Sequence, residues 1–168
     1  MLNVARAVAG MTLVAGLPTT VLSMAQKLVQ ALSVLPATEI LLFAERINAL
    51  FADSRTWALW GAAGLIHDGA PDDTFDCFRS WLIGRGRETY ENALRDPDSL
   101  ADFATYEALD DVVYGAAETA IRNKTGGELP ISPVEWPALI KDFDLNDDTE
   151  LQRRYPRLYA RFRGAEAD

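Results

Sequence analysis

The stretch Thr56-Trp57-Ala58-Leu59-Trp60-Gly61-Ala62-Ala63-Gly64-Leu65-Ile66 decides the fold class. Its apolar side chains fall on every side of a helical wheel, the pattern of a helix enclosed by other helices. Gly61 and Gly64 are expected to stay small because a neighbouring helix crosses there. Gly69 is expected to stop the helix as a left-handed cap.

Outward from this stretch the helical period continues in both directions. Upstream, Ile40, Phe43, Ala44, Ile47, Leu50 and Phe51 form one apolar stripe, with Glu45, Arg46 and Asn48 facing away. Before Pro36, the positions Val21, Leu22, Ala25, Leu28, Val29 and Leu32 form another. Downstream, Asp72 or Asp73 is expected to cap a helix that turns Phe75, Phe78, Trp81 and Leu82 inward. Tyr90, Ala93 and Leu94 mark a short helix, and Asp96-Pro97-Asp98-Ser99 reads as a turn. Leu109, Val112, Val113, Ala116, Ala117, Ala120 and Ile121 hold the period until Gly126-Gly127.

Beyond Gly127 the character changes. Pro130, Pro133, Pro137 and Pro156 are half of the eight prolines, so an extended wrap is expected there, followed by a short terminal helix from about Asp148. No alternating β-branched run marks a strand. The fold class is therefore all-α: a compact bundle of about six or seven helices. It divides into an N-terminal segment 1–20, a helical core 21–127 and an extension 128–168 packed on the same domain.

A chain of 168 residues fits one domain, able to bury roughly 70% of its unfolded surface without a metal or disulfide. Hydrophobic residues at 49% exclude disorder, and a net charge of −9 disfavours a nucleic-acid partner. The clustered Arg153, Arg154, Arg157, Arg161 and Arg163 run against that average; they are read as lying on the domain's own acidic surface or leaning on its helix dipole, with an external anionic partner as the alternative. The lone Cys77 forbids an internal disulfide and fits a reducing cytoplasm. The apolar run Ala7 to Leu17, with Ser23-Met24-Ala25 after it, mimics a signal peptide. Its thin basic region, Pro18 and the helical period that follows argue against one. The run breaks too early at Gly16-Leu17-Pro18 to span a membrane.

Trp57 to Ile66, then Asp72-Asp73-Thr74-Phe75-Asp76-Cys77-Phe78-Arg79-Ser80-Trp81-Leu82-Ile83, Gly86-Arg87 and Asp96-Pro97-Asp98-Ser99-Leu100-Ala101 form a string. It resembles the core of the domain of unknown function 4240 family, and Leu151 to Tyr159 resembles that family's ending. The resemblance runs from about residue 21 to 163. Members usually open with a Phe-Trp pair that is absent here, so residues 1–20 are read as divergent or truncated. The resemblance implies a helical fold in a bacterial, mainly cytoplasmic setting, and no reaction.

Asp72-Asp73-Thr74-Phe75-Asp76 has the form of a carboxylate cluster that holds Mg²⁺, since hard cations want several such oxygens together. A second metal motif is missing, so capping and dipole complementation are the stronger reading. Asp142, Asp144 and Asn146 open like a calcium loop, but Asp147 and Arg153 occupy the positions that need Gly and Glu. Asp76, Arg79 and Arg87 are expected to form a charged network beside Trp57, Trp60 and Trp81, either an ordinary helix pairing or a receptor for a carboxylate or peptide. His67 is the only histidine, and Cys77 has no histidine beside it, so no nucleophile relay is expected. No cofactor, metal or catalytic residue is assigned. The function expected is a non-enzymatic module binding a protein or peptide at a cleft of Trp57, Trp60, Asp72, Asp73, Asp76, Arg79, Trp81 and Arg87. The alternative is a small enzyme using Asp72, Asp73 and Asp76 with Mg²⁺ or as acid and base.

Overall fold

A computed structural model of the chain describes residues 23–104 and 113–164, and every regular element among them is helical. In order they are α1 (Met24–Ser33), α2 (Ala37–Asp53), α3 (Trp57–Ile66), α4 (Asp72–Gly84), α5 (Arg87–Arg95), a 3-10 helix (Pro97–Asp102), α6 (Tyr114–Thr125), α7 (Asp148–Arg154) and α8 (Pro156–Phe162). That is more than the six or seven expected. Pro156 has no N–H and splits the tail into two helices. The 96–99 turn winds on into a 3-10 helix, because Asp96 accepts from Asp98 N at 3.1 Å. The apolar run Ala7 to Leu17 and the positions Leu109 and Val112 lie outside the described residues. Among those described, no helix is long and apolar enough to cross a membrane.

The chain divides into two units, residues 1–50 with 111–135 and residues 51–110 with 136–168. In the first, α1 opens with a capping box: Ser23 Oγ accepts from Gln26 N at 3.2 Å, and the Gln26 side chain accepts from Ser23 N at 2.9 Å. α1 packs along α6, burying Leu28 and Leu32 in a unit where α6 supplies Ala116, Ala117, Ala120 and Ile121. Small side chains let two helices approach closely. Gly126 ends α6 at φ 70, donating to Arg122 O, and Lys124 Nζ donates to Ser33 O at 3.0 Å. The stripe Ile40, Phe43, Ala44 and Ile47 of α2 is buried as expected. Asn48 does not face away: it is buried too, its amide satisfied by Ala44 O at 3.0 Å.

In the second unit, Thr56 caps α3 by accepting from Leu59 N at 3.2 Å. Leu59, Gly61, Ala62, Ala63, Leu65 and Ile66 are buried, whereas Trp57 and Trp60 are half-buried. The left-handed residue that closes α3 is Asp68, at φ 52, one position before the expected Gly69. Gly69 follows at φ 106 and donates to Gly64 O at 2.8 Å. Gly61 must be small, since a Cβ there would stand 2.7 Å from Tyr155 Oη and 3.0 Å from Phe143 Cζ. Among the described residues nothing lies within 4 Å of a Cβ at Gly64, so none of the described helices crosses at that point. Neither Asp72 nor Asp73 caps α4. Pro71 holds the cap position without a side-chain bond, and the two aspartates occupy the first turn, where they face the positive end of the helix dipole. The 3-10 helix is the hub of this unit, packing against α3, α5 and α8.

Candidate functional site

Arg79 is the centre of the site, and its backbone position explains why. At i, i+3 from Asp76 on α4, it sends a fully buried guanidinium inward, with Nη2 on Asp76 Oδ1 at 2.5 Å. Nη1 donates to Phe51 O at 2.6 Å, a carbonyl in the last turn of α2. The guanidinium carbon lies 4.7 Å from the Trp136 ring centre, 5.0 Å from Phe51 and 5.1 Å from Phe75. A planar cation between aromatic faces is attracted by the ring quadrupoles, most strongly where water is excluded. Nε is buried and has no hydrogen-bond partner among the described residues. The Asp76 side chain is 53% exposed, so the buried cation reaches the surface through its anion.

Aromatic rings continue from this point in a row. Trp60 stacks on Phe75 at 4.5 Å, Phe75 on Phe78 at 6.3 Å, Phe78 on Trp81 at 5.6 Å and Trp81 on Phe103 at 6.2 Å. The indole N–H groups of Trp57 and Trp60 donate to Phe143 O at 2.8 Å and Ala70 O at 2.6 Å. Half-buried indoles with satisfied N–H groups are fixed in orientation. Arg85, not Arg87, lies over the Trp81 ring, at 4.7 Å. Arg87 stands at the start of α5, exposed, paired with Glu91 at 2.7 Å.

The structure thus brings Asp76 and Arg79 together, and puts Trp57 and Trp60 in ring contact at 5.5 Å. Asp72 and Asp73 are exposed, and among the described residues no group of three or more His, Cys, Asp or Glu is placed to hold a metal ion. His67 packs its ring edge-on to Phe78 at 6.2 Å, and burial lowers its pKa from the ordinary value.

The arginines of the tail rest on the protein's own acceptors. Arg153 and Arg154 share Glu150, at 2.7 and 2.6 Å, and draw its pKa down to about 2. Arg154 also reaches Asp142 at 3.2 Å and covers the Phe143 ring at 4.2 Å. Arg157 pairs with Asp102, Arg161 with the Ala101 carbonyl and Arg163 with Asp68. The buried Asp98 carboxylate accepts from Arg157 N at 3.1 Å and Leu158 N at 2.9 Å, capping α8 from the 3-10 helix. Tyr155 donates its hydroxyl to Ala58 O at 2.8 Å, and burial pushes its pKa up.

Sequence reasoning missed Trp136, Phe51, Phe143 and Asp98 as members of this arrangement. Trp136 carried one signal, a large aromatic alone in the non-helical, Pro-rich segment Pro133-Val134-Glu135-Trp136-Pro137. Asp98 carried none, because its partners lie about sixty positions later in the chain.

A family model described as "Protein of unknown function (DUF4240)" matches residues 17–121. The tail resemblance at Leu151 to Tyr159 lies beyond that span. No curated protein and no solved structure matches the chain.

Proposed function

We propose that this chain, which belongs to the DUF4240 family of proteins of unknown function, is a non-enzymatic interaction module for a protein or peptide partner, working in the cytoplasm. One observation carries the reading. In the second unit, the irregular segment after residue 135 presents Trp136 at 45% and Ile140 at 79% exposure on a backbone held in place. Arg55 Nη1 grips Pro137 O at 2.7 Å, and Trp57 Nε1 grips Phe143 O at 2.8 Å. Large apolar side chains held outward on a fixed loop favour binding, because little order remains to be lost on docking. The polar groups nearby serve the fold: Asp76 neutralises Arg79, and Glu150 binds two arginines.

Native capture from the source cells with the wild type and with Ile140→Asp tests this. A partner held by the wild type and lost from the folded variant is expected. Identical captured sets from both proteins would remove the basis of the reading.

A further inference from the structure

Resting on the interaction reading above, we infer that the face formed by Arg55, Trp57, Trp136, Ile140 and Lys141 takes an acidic segment of the partner, one with an apolar residue flanked by carboxylates. Two cations mark this face. Arg55 lies 5.9 Å from the Trp136 ring centre and Lys141 Nζ lies 5.2 Å from that of Trp57. Among the described residues neither has a carboxylate at ion-pair distance, whereas Arg153, Arg154, Arg157 and Arg163 in the same unit all have one. Of the neighbouring acids, Asp142 is engaged with Arg154 at 3.2 Å and Asp144 with Asn146 N at 2.9 Å, while Asp53 and Glu135 stand exposed.

A cation resting on an indole keeps its outer side open to an anion, so this face offers positive charge and apolar area together. Ile140, the most exposed large apolar side chain among the described residues of the second unit, stands one position before Lys141. An aliphatic side chain of the partner covers Ile140 and Trp136, and its flanking carboxylates meet Arg55 and Lys141. The chain's net charge of −9 opposes an acidic ligand only weakly at contact, since charges beyond about 8 Å are largely screened at physiological salt.

The test is selection of a random peptide library, about twelve residues long, against the full chain, with dissociation constants measured for the enriched peptides. Enriched peptides are expected to carry Asp or Glu beside an apolar residue. Replacing those acids by Asn and Gln should weaken binding by about tenfold, the loss of two exposed charge contacts. Lys141→Glu and Arg55→Gln should each remove part of that difference, and 0.5 M salt should do the same. Enrichment of neutral or basic peptides would overturn the inference, as would no enrichment or an affinity indifferent to Lys141→Glu. If acidic preference fails while Ile140→Asp still abolishes native capture, the interaction reading stands and the ligand assignment falls. If Ile140→Asp leaves capture intact, the interaction reading itself has failed.

Discussion

Two glycines of one helix show how local space decides a substitution. Gly61 and Gly64 both sit within α3, and replacing a helical glycine by alanine gains about 0.5–1 kcal/mol in backbone terms. At Gly64 the added methyl meets none of the described residues within 4 Å, so Gly64→Ala should raise stability by that amount. At Gly61 it would collide with Tyr155, whose hydroxyl is tied to Ala58 O, so Gly61→Ala should cost about 1–3 kcal/mol by overpacking. Urea denaturation of the two variants should therefore shift the midpoint in opposite directions. Sequence reading found both glycines but gave them one explanation. The difference depends on Tyr155, more than ninety positions away, which no local pattern reveals.

The helices themselves were legible, because each buries a stripe and stripes leave a period. Gly126 ends α6 as expected, whereas the caps Ser23 and Thr56 emerge only from the structure, Ser23 having resembled part of a cleavage site. What was hidden is how elements hold one another. Asp98 belongs to the 3-10 helix yet satisfies the first turn of α8, so Asp98→Ala should cost about 2 kcal/mol, the loss of a buried cap. Amide exchange should show the damage concentrated in residues 156–162. Equal loss of protection throughout the second unit would contradict a local capping role. Likewise Trp60→Ala should cost about 3 kcal/mol, since it removes the first ring of a stacked row and its bond to Ala70 O. The candidate site was half legible for the same reason. The Asp76–Arg79 pairing is an i, i+3 spacing, whereas Trp136 comes to Arg79 from an irregular segment with no period to read.

At the scale of the whole molecule, the pH dependence of stability has a definite sign. Glu150 is held at about 2 against an ordinary 4.5, so the folded state binds its proton less readily than the unfolded chain. Its contribution is present above 4.5 and disappears as the pH falls towards 2. His67, lowered by burial, acts in the same direction: its contribution is present above 6.5 and is lost as the pH falls through its folded value. Thermal melts between pH 7 and 2 should show falling stability, with the lowest stretch flattened in Glu150→Gln. A slope unchanged by that substitution would mean that the two arginines do not act through Glu150.

The Asp98 cap also bears on how related chains should vary. A carboxylate sealed from water is tolerable only while two backbone amides meet it, and those amides belong to the tail beyond the matched family span. Relatives that have lost the Tyr-Pro-Arg-Leu ending should accordingly have surrendered this aspartate for a neutral residue, whereas those that retain one should retain the other.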